Sequence, residues 1–331
     1  MARANAAYYA ARDPFVDFTT APEISQAFGE ILGLWAAITW ELLGRPAPVL
    51  LVEAGPGRGT LMADALRAIR HAAPAFCAAL SVHLIETSAR LRALQQEAVP
   101  NAVWHDSLET VPDEPLLLLA NEFLDALPIR QFVRRGDSWT ERYVIDSGFV
   151  EMDSRSPCVR TPSPQPWSAS LPKPARGGGD VFEICEPAVD FAAVLGRRLA
   201  ARPGAALFLD YGPSDSTMGD SLQAIRDAGP ADPLRDAGFA DLTAHVDFGV
   251  FARGVTAAGA VAHGPIPQGV FLSRIGLFQR TDRLARRQPP ARSMALIEAA
   301  RRLAEPDRMG RLFKALALCH PGCPTPPGFE S

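Results

Sequence analysis

No apolar run in this 331-residue chain is long enough to cross a bilayer; the longest are strand-sized. No secretory leader is recognisable either. The expectation is a cytoplasmic protein, or one of the mitochondrial matrix if the source is eukaryotic, with no membrane insertion. Cysteine is scarce and odd in number, with five at 77, 158, 185, 319 and 323. That argues against a disulfide framework and for a reducing compartment. Cys319-His320-Pro321-Gly322-Cys323 lacks the second ligand pair that a four-coordinate zinc site needs, so no metal is expected. An excess of positive charge is also missing. Lys and Arg number 33 against 37 Asp and Glu, a net charge of −4, so no global field draws the chain to nucleic acid. The Arg-rich stretches at 283–287 and 301–302 read as solvated helix faces. Internal repeats are absent.

What is present suits a globular protein with a sizeable core: 47% hydrophobic and 21% charged residues. Tyr8-Tyr9 and Asp13 to Phe18 read as an aromatic, turn-like start. Thr20-Ala21-Pro22-Glu23 is a capping-box pattern, and Ile24, Phe28, Ile31, Trp35, Ile38 and Leu42 continue it as one apolar helix face, stopped by Gly44 and Pro46. A strand–helix rhythm follows. Strands are expected at Val49–Glu53, Ser81–Glu86, Val103–His105, Leu116–Ala120 and Ala205–Leu209, with helices at Leu61–Arg70 and Ser88–Glu97. Short buried strands alternating with helices imply a doubly wound, mostly parallel sheet. Ile129–Ile145 alternates around Arg135-Gly136-Asp137-Ser138 as a hairpin. Ser154–Gly179, rich in Pro and Gly, reads as a flexible surface loop. A helix is expected around Leu222–Asp227, and 272–318 reads as largely helical. The organisation expected is an N-terminal segment and helix (1–46), a core (47–128 and 180–331) with a helical insertion at about 213–265, and a hairpin-loop insertion (129–179).

The segment from Val49 to Thr60 carries the most information. A buried strand runs into Gly55-Pro56-Gly57-Arg58-Gly59, and a helix starts at once. The missing side chains let a ligand approach the backbone, and the helix start offers free N–H groups. A dinucleotide fingerprint needs G-x-G-x-x-G, but here the spacing is G-x-G-x-G with Thr60 in the last position. S-adenosylmethionine (SAM) needs no phosphate cradle. Glu86, closing the second strand, suits its ribose hydroxyls; Asp106, after the third, suits its adenine amino group. Glu53, closing the first strand, would disfavour a phosphate and suit a sulfonium. A nicotinamide oxidoreductase is disfavoured by Thr60.

Leu116–Ala120 ends in Asn121-Glu122-Phe123-Leu124-Asp125-Ala126-Leu127-Pro128, beside the expected methyl group. Carboxylates there would hold a cationic guanidinium and localise its charge away from the attacking nitrogen. Glu122, with Asn121 beside the cofactor, is the main candidate; Asp125 and Glu186 are further ones.

These residues resemble the MidA-like family of SAM-dependent protein arginine methyltransferases. Asp17 to Gln26, Phe28-Gly29-Glu30, Leu34-Trp35, the glycine loop within Glu53–Leu66, Asn121–Pro128, Glu183–Pro187, Asp210-Tyr211-Gly212, Asp241–Phe248 and Gln268–Gly276 follow in the family's order. The resemblance implies a class I SAM-dependent methyltransferase fold, Rossmann-like, with a mostly parallel seven-stranded sheet and inserted hairpin and helical segments. It implies SAM as cofactor and a protein arginine as acceptor. In the family's mitochondrial member that arginine is symmetrically dimethylated and lies in the quinone-site subunit of respiratory complex I, so that subunit and a role in complex I assembly are the expectation to test for this chain. It also implies that Thr20, Pro22, Glu23 and Ser25 lie near the cofactor. His245 and Asp247 become further candidates on the acceptor side. Three features depart from the pattern. Only seven residues precede Tyr8 where a helix is usual, residues 13–17 lack the usual glycines, and Asp227-Ala228 stands where a histidine tends to follow Leu222-Gln223. The other readings are a small-molecule methyltransferase on the same fold and a non-catalytic SAM-binding assembly factor. The sequence leaves a homodimer open.

Overall fold

A computed structural model describes residues 1–12, 19–136, 138–145, 148–153, 180–235 and 237–330. The expected loop at 154–179 and the turn at 13–18 lie outside these residues. The N-terminal stretch folds as three helices: α1 (Ala2–Ala11), α2 (Ala21–Ile24) and α3 (Gln26–Leu42). Tyr8 and Tyr9 therefore sit in a helix rather than a turn, and a helix does stand before and through the paired tyrosines. The helix expected from Thr20 is split at Ser25, which has an extended backbone (φ −150°, ψ 119°). The capping box does not form. Thr20 makes no side-chain cap, and Glu23 instead accepts a 2.5 Å hydrogen bond from Thr60 Oγ1.

The strand–helix rhythm gives β1 (Val49–Ala54), α4 (Thr60–Ala72), α5 (Pro74–Ala79), β2 (Leu80–Ile85), α6 (Ala89–Ala98), β3 (Val103–His105) and β4 (Leu116–Asn121). Every residue of β1 and β4 is buried, as strands covered on both faces require. The loop after β4 leads into an inserted antiparallel sheet. Its strands are β5 (Arg130–Arg135), β6 (Ser138–Ile145), β7 (Gly148–Asp153) and β8 (Val181–Ile184), in the order β7-β6-β5-β8. The expected hairpin is its β5–β6 pair. Next come α7 (Glu186–Ala201) and β9 (Gly204–Tyr211).

Two expectations fail after β9. Residues around 222–227 form no helix. They are β10 (Gln223–Arg226), paired with β11 (Gly229–Ala231) and β12 (Asp241–Thr243) in a three-stranded sheet. Asp227 and Ala228 both take positive φ (51° and 59°), the backbone of a two-residue hairpin turn, which ends any helix. Only α8 (Phe248–Ala257) makes the insertion partly helical, and the edge strand β13 (Val261–Pro267) follows it. The C-terminal part is helical through α9 (Gln268–Arg274), α10 (Leu277–Ala285), α11 (Pro290–Ala304) and α12 (Met309–Leu312), and then becomes β14 (Phe313–Cys319). That strand is buried on both faces, so it lacks the alternation that separates strand from helix.

The main sheet has seven strands in the order β13-β14-β9-β4-β1-β2-β3. β3, β2, β1, β4 and β9 run parallel; β14 is antiparallel to both β9 and β13. Helices α3 and α4 pack one face, with Trp35, Phe28 and Phe271 at its centre; α7 and α8 pack the other, around Phe208, Phe248 and Phe251. α3 lies close on α4, since a Cβ at Gly33 would stand 2.6 Å from Ala65 Cα. The order in which successive strands join the sheet reverses between β1 and β4: β2 and β3 extend it on one side of β1, β4 and β9 on the other. In doubly wound sheets that switch point opens a crevice at the carboxyl ends of the strands.

Candidate cofactor and acceptor site

A cavity of about 870 Å³ opens at this crevice. Its floor is the end of β1 and the glycine loop, its sides are the ends of β2, β3 and β4, and α1 and α7 close it. Gly55, Gly57 and Gly59 all have positive φ (66°, 54° and 82°). A Cβ at Gly55 would come 3.0 Å from Phe123 Cδ2, so a side chain there is strained and crowded. Gly59 does not line the cavity; it is the left-handed N-cap of α4. Thr60 does line it and ties α4 to α2 through Glu23. The place of a third fingerprint glycine is thus taken by a side chain that joins two walls.

Glu53 is 3% exposed, lines the cavity and leaves Oε2 without a hydrogen-bond partner. Burial pushes its carboxyl up to about 8, against an opposing contact with the Met62 backbone. In the free protein this group is largely neutral at pH 7, so the anion expected there needs a cationic ligand. Glu86 is held at both oxygens: Ser88 N–H donates to Oε1 (2.7 Å) and Gln95 Nε2 to Oε2 (3.2 Å). Burial raises its carboxyl, and these donors pull it back. Asp106 lines the cavity but is largely exposed and ion-paired with Arg92 at 2.7 Å.

At the end of β4, Glu122 takes φ +50°, a left-handed backbone that is uncommon outside glycine. The loop is pinned by Asp210. Its Oδ2 accepts from the N–H groups of Phe123 (3.1 Å), Leu124 (2.9 Å) and Asp125 (3.3 Å), and its Oδ1 from Tyr211 N–H (2.9 Å). Glu122 Oε1 accepts from Ala21 N–H (3.1 Å) and Asn121 Nδ2 (3.0 Å). Oε2 accepts no hydrogen bond among the described residues. Burial raises the Glu122 carboxyl. Asn121 Oδ1 is buried and unpartnered. Both residues line the cavity.

Several expected residues lie elsewhere. Asp125 is not in the cavity wall; its side chain meets Tyr211, and burial together with Asp210 drives its carboxyl well up. Glu186 is paired with Arg130 at 2.6 Å. His245 packs edge-on against Tyr211, 5.6 Å between centroids. Asp247 caps α8 by accepting from Val250 N–H (2.8 Å). Ser25 is buried with Oγ unpartnered, outside the cavity wall, whereas Thr20, Pro22 and Glu23 line it. Glu186, His245 and Asp247 follow strands of the two smaller sheets, and Asp125, after β4, turns to Tyr211. Placing a residue after a strand does not say which way its side chain turns.

Two contributors escaped sequence reading. α1 supplies Ala2, Asn5, Ala6 and Tyr9 to the cavity wall. It is held by Asn5 Nδ2 on Ala126 O (3.0 Å) and Leu242 O (2.8 Å), by Tyr9 Oη on Asp241 (2.8 Å), and by Ser88 Oγ on Tyr9 O (3.0 Å). Its weak amphipathic pattern gives no signal. The other is Gln95, buried in α6. Among the described residues no group of three or more His, Cys, Asp and Glu could hold a metal. No described helix is long and apolar enough to cross a membrane.

The cavity fits SAM. It offers a floor with left-handed glycines at 55 and 57, a carboxylate held by fixed donors, and a buried acid with an unpartnered oxygen. Comparison with known proteins agrees. Residues 31–266 match the family model for S-adenosyl-L-methionine-dependent methyltransferases. The human mitochondrial protein arginine methyltransferase NDUFAF7 is 35% identical over 343 residues, covering 94% of this chain and 76% of its own. The zebrafish protein of the same name is 33% identical, covering 91% and 76%. Among solved structures, a Burkholderia thailandensis COG1565 superfamily member bound to S-adenosyl-homocysteine has 26% identity and a TM-score of 0.75, with 94% of this chain and 81% of that one covered. A native structure of a COG1565 protein from the same organism has 28% identity and a TM-score of 0.76, covering 93% and 83%. The chain therefore belongs to the MidA-like family of S-adenosyl-L-methionine-dependent methyltransferases.

Proposed function

We propose that this protein methylates a guanidinium nitrogen of an arginine in a protein substrate. The observation that carries the reading is Glu122, a partly buried carboxyl on a left-handed backbone, with Oε1 committed to Ala21 and Asn121 and Oε2 left to a ligand. SAM bound on the glycine loop supplies an electrophilic methyl group. In this reading Gly55 and Gly57 admit its methionine part, Glu86 takes the ribose hydroxyls, and Asp106 borders the adenine. Thr20, Pro22 and Glu23 close the cofactor side. Glu122 orients the guanidinium and draws its positive charge away from the attacking nitrogen, and Asn121 fixes Glu122 in turn. The raised Glu122 carboxyl favours an arriving cation, which restores its anionic form. The names of the NDUFAF7 relatives support arginine as the acceptor. Symmetric dimethylation of the quinone-site subunit of complex I, and a part in complex I assembly, extend the proposal. Its compartment is then a cytoplasm or a mitochondrial matrix, and those relatives are mitochondrial.

Incubation with isotope-labelled SAM and extract from cells lacking the gene tests the acceptor. Mass spectrometry should find label on arginine; label in metabolites alone would overturn the proposal. Glu122→Gln should keep SAM affinity within about threefold and lose about a hundredfold or more in transfer. Unimpaired transfer would remove Glu122 from the reacting centre.

A further inference from the structure

Gln95 lies inside α6, where a polar residue ordinarily faces water, yet it is fully buried. Its side-chain amide joins three elements. Nε2 donates to Gly57 O (2.8 Å) in the glycine loop and to Glu86 Oε2 (3.2 Å) after β2, and Oε1 accepts from Trp104 Nε1 (2.8 Å) on β3. The orientation of the amide is fixed by its partners. An indole N–H only donates, so it must meet the oxygen. A carbonyl and a carboxylate only accept, so they must meet the NH₂ group. Both amide hydrogens and the oxygen are thereby used. α6 also packs directly on the loop, since a Cβ at Gly59 would stand 3.3 Å from Ala98 Cβ and 3.6 Å from Gln95 Cα.

We infer that Gln95 is a positioning residue that locks the Glu86 carboxylate to the glycine loop, so that cofactor hydroxyl recognition and loop geometry are set together. The inference rests on the reading that Glu86 takes the ribose hydroxyls. Glu86 Oε1 accepts from Ser88 N–H and Oε2 from Gln95 Nε2, and the Thr87 backbone N–H also favours the carboxylate; Gln95 is the one side-chain donor among them. Removing the Gln95 donor frees one oxygen to turn, while Ser88 keeps the carboxylate nearby. The hydroxyl pair of a ribose needs both oxygens in one plane and at one depth. Binding of the remaining ligand needs only the loop and the cavity wall. Loss of Gln95 should therefore weaken binding of a ligand that presents both hydroxyls more than binding of one that lacks the 2′-hydroxyl. Trp104 acts one step back: without its N–H the amide loses the partner that selects its orientation.

The test is calorimetric titration with S-adenosylhomocysteine and its 2′-deoxy analogue. The proteins are the unsubstituted chain, Glu86→Gln, Gln95→Met, Trp104→Phe and the double variant Glu86→Gln/Gln95→Met. The unsubstituted protein should prefer the hydroxylated ligand by about tenfold or more, as expected for a hydrogen bond to a charged group. Gln95→Met should reduce that preference to about threefold or less. In the Glu86→Gln background the same substitution should leave the remaining preference unchanged. Trp104→Phe, which keeps an aromatic ring in place, should give an intermediate preference and serves if Gln95→Met does not fold. If Glu86→Gln abolishes the preference while Gln95→Met and Trp104→Phe weaken both ligands equally, Gln95 only fills space and the inference is overturned. If Glu86→Gln keeps the full preference, the ribose assignment of Glu86 fails and takes the inference with it.

Discussion

Glu53 is where the charge of a ligand and the charge of the protein meet. Its carboxyl ionises at about 8 in the folded chain, against an ordinary value of 4.5. A raised acid stabilises the fold in its neutral form. Its contribution is complete below about pH 4.5 and is lost as pH climbs towards 8, by up to about 1.4 kcal/mol per unit. SAM carries a sulfonium and an ammonium, which favour the anion. Binding near neutrality should therefore expel a proton, and affinity should increase with pH up to about 8. Calorimetry in two buffers of different ionisation enthalpy measures the proton directly. Glu53→Gln should abolish the release; proton-silent binding by the unsubstituted protein would dissociate Glu53 from the ligand. Glu53 was legible as a strand-end acid. Its neutrality was not, because that depends on α4 closing over it and on the absence of a second partner for Oε2.

The loop after β4 owes its shape to a strand distant in sequence. Asp210, at the end of β9, gathers the N–H groups of Phe123, Leu124 and Asp125 and so supports the left-handed backbone of Glu122. Asp210→Ala should leave four N–H groups, three of them in this loop, without that acceptor and destabilise the protein by about 3 kcal/mol, measured by urea unfolding. Asp210→Asn keeps one oxygen and should cost about 1 kcal/mol. Equal effects of the two would mean the carboxylate does not hold the loop. At this scale the sequence was most readable where signals are local. The strand, glycine turn and helix from Val49 to Ala72 follow from adjacent residues, and so do β2, α6 and β3. It was least readable where the deciding contact is remote. β14 is buried on both faces and has no period to read, and Glu23 abandons its cap for Thr60. Asp125 and Glu186, equally plausible on paper, turn to Tyr211 and Arg130. Gln95 looks like any surface glutamine until β3 and the glycine loop are brought against it.

Across the whole molecule, Glu30 joins three helices. It is 1% exposed and receives Gln26 from its own helix (2.8 Å), Arg67 from α4 (3.2 Å) and Arg280 from α10 (2.5 Å). Burial alone would raise its carboxyl; the Arg280 and Gln26 hydrogen bonds and the two guanidinium charges win, and it lies below the ordinary value. The sign is opposite to that of Glu53. This contribution is present above about pH 4.5 and is lost as pH falls through the lowered value. Glu30→Gln should destabilise the protein by roughly 1–3 kcal/mol near neutrality, less than a fully buried pair because both guanidinium groups are partly exposed. Chemical denaturation at about pH 7 and about pH 3.5 should find that gap narrowing in acid. An undiminished gap would assign the effect to packing rather than charge.

The placement of β14 has a consequence for synthesis. This strand is made after β13, yet it lies between β13 and β9. Until residue 319 has emerged, β9 exposes the edge that β14 will pair along its full length, and β13 has no neighbour in the sheet. Nearly every residue along that waiting edge is apolar. An incomplete chain that stops before Phe313 therefore carries an open apolar strand, the surface on which unfinished proteins self-associate. Pairing of β14 is the step that covers this edge and gives β13 its place in the sheet.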